Sequence, residues 1–197
     1  MIDVKQIIRP LTYANYRQLV DDLLREGKVT GEQQSTDLTE YTKLNVARMN
    51  RVEKQAVIEE NLSQAIQQIQ EPQQWVVITE GWCGDAAQLV PLFHKMSELN
   101  NNIQLTLVLR DENLWLMDQF LTNGKSRSIP KLIALNTQGE LLWHWGPRPA
   151  AAQELINQLV ANGADMELLK EKLHGWYAKD RTKSAQQELL GLLKAYN

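Results

Sequence analysis

The sequence contains one cysteine, Cys83, and it is the residue best suited to chemistry. It lies in the run Trp82-Cys83-Gly84-Asp85-Ala86, after an apolar stretch and at the start of a helical pattern. A thiol at the first turn of a helix faces unpaired amide N–H groups and the positive end of the helix dipole, which both favour the thiolate. Asp85 opposes this effect, because a nearby negative charge raises a thiol pKa. The net direction stays open at this point.

Each of these two side chains also has a simpler interpretation. Cys83 could be a small, unreactive residue at a helix start, although its position favours a functional thiol. Asp85 could act as an acid or base in thiol exchange, but a helix-start carboxylate stabilised by the local dipole is the favoured interpretation.

Composition restricts the partners and cofactors of this site. One cysteine cannot form an intramolecular disulfide, and three scattered histidines give no zinc-site spacing, so we expect no metal and no cofactor. A formal net charge of −3 gives no basic field for phosphate backbones or acidic lipids, so neither nucleic acid nor a membrane is an expected partner. With no signal-like or membrane-spanning stretch, the expected location is cytoplasmic.

Two buried strands and a helix position the cysteine. Trp75 to Thr79 is a continuous β-branched run typical of a buried strand, and Ile103 to Leu109 is predicted as a second such strand. A helical pattern from about Ala86 to Leu99 separates them. A strand, a helix and a second strand in this order predict a parallel crossover. We expect both strands to be central in the sheet.

The rest of the central region predicts an antiparallel hairpin. Leu132 to Leu135 and Leu141 to Trp145 flank a turn of hairpin length, so the sheet should be mixed, with four or five strands. Further helices are predicted at about Glu112 to Leu121 and Pro149 to Val160.

Both ends of the chain show helical periodicity. A short amphipathic helix is predicted between Thr12 and Gly27, and a longer helical region covers Leu38 to Ile69, with a break expected at Arg48 to Arg51. Two further amphipathic patterns follow Gly163.

The order of these elements resembles the thioredoxin fold, and four local matches support the resemblance. Trp82 to Ala86 is similar to the thioredoxin motif Trp-Cys-Gly-Pro-Cys with its last two residues replaced. The other matches are Pro91, a proline inside the active-site helix; Arg127 to Leu132, a segment similar to that of the cis-proline; and Gly146, where thioredoxins keep a glycine. The sequence of this motif also resembles that of a bacterial branch of thioredoxin-like proteins that lack the second cysteine.

This resemblance implies an α/β chain with a mixed sheet, helices on both faces and extra helices at both ends. We expect a single thioredoxin-like domain over residues 1–197. It divides into an N-terminal helical extension (1–51), a thioredoxin core (52–162) and a C-terminal helical extension (163–197).

The resemblance also implies a set of site residues. Cys83 and Asp85 would be catalytic, and Ile129-Pro130 is expected to be a cis bond beside the thiol. The substrate-binding residues would be Trp82, Gly84, Ile129, Pro130, Trp145 and Gly146, with Trp82 and Trp145 as an aromatic rim around Cys83.

Two departures from the family limit the chemistry. Ala86 replaces the resolving cysteine, and Val77 replaces the buried aspartate that relays a proton. Without the second thiol, a mixed disulfide at Cys83 persists until an external thiol releases it, so efficient dithiol reduction is excluded. Expected partners are therefore a disulfide- or thiol-bearing protein or a low-molecular-weight thiol.

Two functions from different classes remain after these exclusions. The first is monothiol thiol-disulfide exchange or reversible thiolation at Cys83, and the second is a non-catalytic peptide- or protein-binding module. A peroxidase is excluded because Glu80 and Val76 stand where that class needs a threonine or serine and a proline. A glutaredoxin is disfavoured because Gly-Asp-Ala follows the cysteine instead of Gly-Phe-Ser.

Overall fold

The computed structural model describes residues 1–196 and contains one four-stranded mixed sheet within them. The strands are β1 (Gln73–Thr79), β2 (Ile103–Leu109), β3 (Lys131–Asn136) and β4 (Leu141–Trp145), in the order β2-β1-β3-β4. β1 pairs with β2 in parallel and with β3 antiparallel, and β3 and β4 form the antiparallel hairpin. The predicted mixed sheet is confirmed.

The prediction that both parallel strands are central is wrong for β2, which lies at the edge of the sheet. Its side chains are less buried in the first half, where Gln104 is exposed. The free edge is partly covered by Leu11, whose backbone N–H and C=O exchange hydrogen bonds of 2.9 and 2.8 Å with Leu107. A single bridging residue thus takes the place of a neighbouring strand and protects the edge.

Eight α-helices surround the sheet within the described residues, with a 3₁₀ turn at Val4–Gln6 before them. They lie on both faces of the sheet and give the predicted α/β architecture. In chain order they are α1 (Tyr13–Arg25), α2 (Thr36–Gln55), α3 (Glu60–Gln67), α4 (Gly84–Ser97), α5 (Leu114–Met117), α6 (Ala150–Ala161), α7 (Met166–Asp180) and α8 (Lys183–Tyr196).

The break in the second helical region is not where the sequence predicted it. Helix α2 continues through Arg48 to Arg51, because Met49 and Val52 keep one face of the helix in the core. The chain leaves the helix only after Gln55. There the side chain of Gln186 accepts the Glu59 backbone N–H at 2.8 Å and donates to the Val57 carbonyl at 3.0 Å. The position of the break therefore depends on α8, which is distant in sequence.

Helix α5 is also shorter than predicted from Glu112 to Leu121. Beyond Met117 the backbone N–H groups of Gln119 and Phe120 bond three residues back, as in a 3₁₀ turn. This tighter winding ends the helix and leads into the loop of residues 121–128.

The terminal helices contribute to the same core as the sheet. Tyr16 and Val20 of α1 are 1% exposed, and Leu189 and Leu193 of α8 are 0% and 1% exposed. Helix α8 packs against α3 and β4. No helix among residues 1–196 is long and apolar enough to cross a membrane.

We predict that Leu189→Ala lowers the free energy of unfolding by about 2–5 kcal/mol, because it removes a fully buried side chain and leaves a cavity. The free energy is measured by urea unfolding followed by far-UV circular dichroism. Gln187→Ala, an exposed position on the same helix, is the control and should change it by less than about 0.5 kcal/mol. Equal effects of the two variants would contradict a structural role for α8.

Candidate functional site

Cys83 is the N-cap residue of α4 and lies beside the segment that precedes β3. Its Sγ accepts the Ala86 N–H at 3.4 Å and lies 3.3 Å from the carbonyl oxygen of Ile129, to which the thiol donates. The residue is 9% exposed. A sulfur that donates to a carbonyl carries its proton, so this geometry describes a thiol and not a thiolate.

Burial is the largest influence on the acidity of Cys83 and raises its pKa to about 12. The charge of Asp85 acts in the same direction, while the amide groups of Ala86 and Asp85 and the Arg148 guanidinium oppose it. The question that the sequence left open therefore has an answer in this conformation. The helix N-terminus does not outweigh the loss of solvation, and the thiol is protonated at neutral pH.

Three of the expected substrate-binding residues, Ile129, Pro130 and Gly146, lie together, and the Ile129 carbonyl oxygen contacts the Cys83 sulfur. The Ile129–Pro130 peptide bond is cis, and so is Gly146–Pro147. Gly146 has a φ of +118°, and a Cβ there would overlap the carbonyl oxygen of Pro130. Only glycine allows the loop after β4 to approach the cis-proline segment this closely.

The two tryptophans expected as an aromatic rim have other partners. Trp82 is half-buried, and the guanidinium of Arg110 lies over its ring at 4.7 Å from the ring centroid. Trp145 is buried, packs edge-on against Phe93 and donates from Nε1 to Glu188 at 2.8 Å. A rim of both rings around the thiol stays a prediction.

Asp85 is buried, and two side chains from distant parts of the chain bind its carboxylate. Arg148 donates from Nη2 to Oδ2 at 2.7 Å, and the Tyr177 hydroxyl donates to Oδ1 at 2.6 Å. Burial raises the pKa of Asp85, and the contacts from Arg148 and Tyr177 counteract that rise. The residue is thus the centre of a buried network that joins α4, the loop after β4 and α7.

Helices α2 and α7 close over the start of α4 at Gly84. Tyr41 and His174 are joined by a 2.7 Å hydrogen bond, and Gln88 holds the other ring nitrogen of His174 at 3.2 Å. A Cβ on Gly84 would overlap the Tyr41 hydroxyl and lie 2.7 Å from Cε1 of His174. The terminal helices therefore cover the motif that contains the cysteine.

Glu80, three residues before Cys83, is a buried carboxyl that the sequence analysis used only to exclude a peroxidase. Its Oε1 accepts the Asp111 backbone N–H at 3.0 Å. Burial raises the pKa of Glu80 to about 7. The Thr30 side chain, the Asp111 backbone N–H and Arg110 oppose the rise, and the charge of Asp111 adds to it.

Sequence reasoning missed most of the side chains that close the site. His174 and Tyr177 lie three residues apart, which places them on one face of α7, but no local pattern shows what that face contacts. The residues of the site that the sequence analysis did not identify are Tyr41, Glu80, Arg148, His174 and Tyr177.

We predict that Glu80 makes the protein less stable as the pH rises. Its pKa is about 7 in the folded state against 4.5 for an ordinary glutamate. The folded state therefore holds the proton more tightly, and stability is lost as the pH rises from below 4.5 through 7. Relative to Glu80→Gln, the unfolding free energy of the wild type should fall by about 3 kcal/mol over this range. Urea unfolding at several pH values measures it, with the exposed Glu32→Gln as control. Parallel curves for wild type and Glu80→Gln would refute the assignment.

Two solved structures share this fold across nearly the whole chain. A crystal structure of a protein of unknown function, PA1234 from Pseudomonas aeruginosa, is 17% identical with a TM-score of 0.58, and the match covers 95% of this chain and 99% of that chain. An HIV epitope-scaffold is 15% identical with a TM-score of 0.58, and the match covers 95% of this chain and all of that chain. At these identities the likeness shows the fold alone.

The sequence comparisons identify the family. No curated protein matches the sequence. The family model described as Thioredoxin matches residues 31–167, which include β1 to β4, the Cys83 motif and the cis-proline segment. With more than half of the chain matched and the same fold in the structure, the chain belongs to the thioredoxin family.

Proposed function

We propose that this chain is a non-catalytic, thioredoxin-fold binding module that holds a segment of a partner protein. The observation that carries the proposal is the state of Cys83. Its side chain is enclosed between α4 and the cis-proline segment, and burial raises its pKa to about 12. In this role the cysteine is a packed structural residue.

The acidity of Cys83 argues against exchange chemistry in the closed conformation. Thiol-disulfide exchange requires a thiolate, and burial raises the pKa of Cys83 to about 12, so far less of it is ionised at pH 7 than of a free cysteine. The Cys83 side chain is also only 9% exposed, which limits the access of a partner disulfide to the sulfur. Monothiol exchange stays a prediction and needs the Cys83 sulfur to become more accessible than it is in this structure.

An open groove beside the cis-proline segment supports the binding role. It has a volume of about 940 Å³ and lies between the loop of residues 122–128, the turn Gly146 to Arg148, α6 and α8. Lys125, Ser126 and Asn157 are exposed along it and offer hydrogen-bond donors and acceptors to a peptide backbone. Gly146 borders both this groove and Pro130, at the position where the family resemblance expects substrate backbone to approach.

We predict that iodoacetamide labels Cys83 in the folded protein at least about 100-fold more slowly than in the unfolded protein at about pH 8, because so little thiolate is present. The labelling rate should rise about tenfold per pH unit with no plateau below about pH 10. Mass spectrometry of quenched samples measures the rate.

The unfolded chain in guanidinium chloride is the matched control for this labelling, since it exposes the same thiol without its surroundings. If Cys83 in the folded protein reacts as fast as a free cysteine at neutral pH, the structural-thiol proposal fails. Monothiol exchange would then be the better supported function.

We predict that peptides selected by phage display against the wild-type protein lose at least about tenfold in affinity for Asn157→Arg, because the new side chain fills the groove. Gln158→Arg is the control, since Gln158 is exposed on the same helix and lies outside the groove lining. Fluorescence polarisation of labelled synthetic peptides gives the dissociation constants. Peptides that bind both variants equally, or the absence of any enriched peptide, would refute the assignment of this groove.

A further inference from the structure

A second cavity, of about 400 Å³, lies between the end of α2, Gln88 of α4, and the end of α7 with the following residues Arg181 and Thr182. Its walls combine two kinds of surface. Val52, Ala56 and Ala178 are apolar lining residues, and Arg51 and Arg181 are cationic ones. The volume is in the range of small-molecule sites and leaves room for an organic body in addition to a charged group.

The positive charge of this cavity has no acidic counterpart. No aspartate or glutamate lines it, and among residues 1–196 neither Arg51 nor Arg181 is in an ion pair. Arg51 donates from Nη2 to Oε1 of Gln88 at 2.8 Å, which fixes its guanidinium at the cavity wall and leaves other N–H groups free.

The pKa of His174 is also affected by an excess of positive charge on this side of α7. Burial is the main reason that its pKa is lowered to about 3, and the charges of Arg48, Arg51 and Lys170 act in the same direction. Three cations therefore influence one histidine next to the cavity. Together with the unpaired arginines, they create a positive potential that an anion would neutralise.

We propose that this cavity binds a small organic anion. Its carboxylate or phosphate group is held between Arg51 and Arg181, and its body packs on Val52, Ala56 and Ala178. Guanidinium groups suit this role because their planar donors match the geometry of both oxyanions. The inference concerns this cavity alone and does not depend on the peptide groove beside Gly146.

Two residues connect the cavity to the covered cysteine motif. The Tyr177 side chain lines the cavity, and its hydroxyl binds Asp85. Gln88 also lines it and links Arg51 to His174, which packs on Gly84. A bound anion would hold the same side chains that fix α7 over the start of α4.

Isothermal titration calorimetry at low salt tests the proposal with three probes: phenyl phosphate, benzoate and inorganic phosphate. We expect saturable one-to-one binding, and phenyl phosphate or benzoate should bind more tightly than inorganic phosphate because only they contact the apolar wall. Arg181→Gln should lower the affinity for the tightest-binding probe at least about tenfold, because it removes a charge-assisted hydrogen bond.

Lys179→Gln is the matched control, because it removes the same charge from an exposed position on α7 outside the cavity lining. It should change the affinity less than about twofold. Arg51→Lys keeps the positive charge but loses the planar paired donors of the guanidinium group. This variant should bind the best probe less tightly than the wild type and more tightly than Arg51→Gln. Equal losses in Lys179→Gln and Arg181→Gln, or no saturable binding of any probe up to about 10 mM, would overturn the proposal.

Discussion

Asp85 is a buried carboxylate at the first turn of α4, and its two oxygens bind side chains from distant parts of the chain. Arg148 comes from the loop after β4, and Tyr177 comes from α7. An uncompensated buried charge is strongly unfavourable, and removing one partner of a buried pair typically costs about 3–5 kcal/mol. The placement of that loop and of α7 is therefore tied to the placement of the helix that begins at the cysteine.

Burial decides which of two opposing effects controls the acidity of Cys83. A helix N-terminus favours a thiolate by about 0.3–2 kcal/mol. The rise in the pKa of Cys83 from 9 to about 12 corresponds to about 4 kcal/mol in favour of the thiol. Burial outweighs the dipole by this comparison. The same N-cap position that activates an exposed cysteine here holds a protonated one, because the neighbouring elements exclude water.

Local patterns in the sequence predicted the parts of the structure that depend on interactions between residues close to each other in the chain. Thr12 caps α1 through a hydrogen bond to the Asn15 N–H, and the apolar run of β2 has the bounds Ile103–Leu109, as predicted. The motif, together with the helical pattern that follows it, correctly predicted that Cys83 lies at the start of α4. The α2 break and the closure of the site depend instead on Gln186 and Tyr177, which reach their partners across more than ninety residues. No periodicity or capping pattern encodes contacts at that separation.

In this chain, the residues that resemble the thioredoxin motif contact the helices at both ends of the chain and the Cys83 sulfur. Gly84 lacks the side chain that would collide with Tyr41 and His174, so α2 and α7 can approach the backbone of α4. Asp85 anchors α7 through Tyr177, and Ala86 is 1% exposed, with its N–H bound to the Cys83 sulfur. A proline at position 85 could not accept the hydrogen bond from Tyr177, so this departure from the family motif goes together with the contact between α4 and α7. In this conformation the motif acts as a docking surface for the terminal helices.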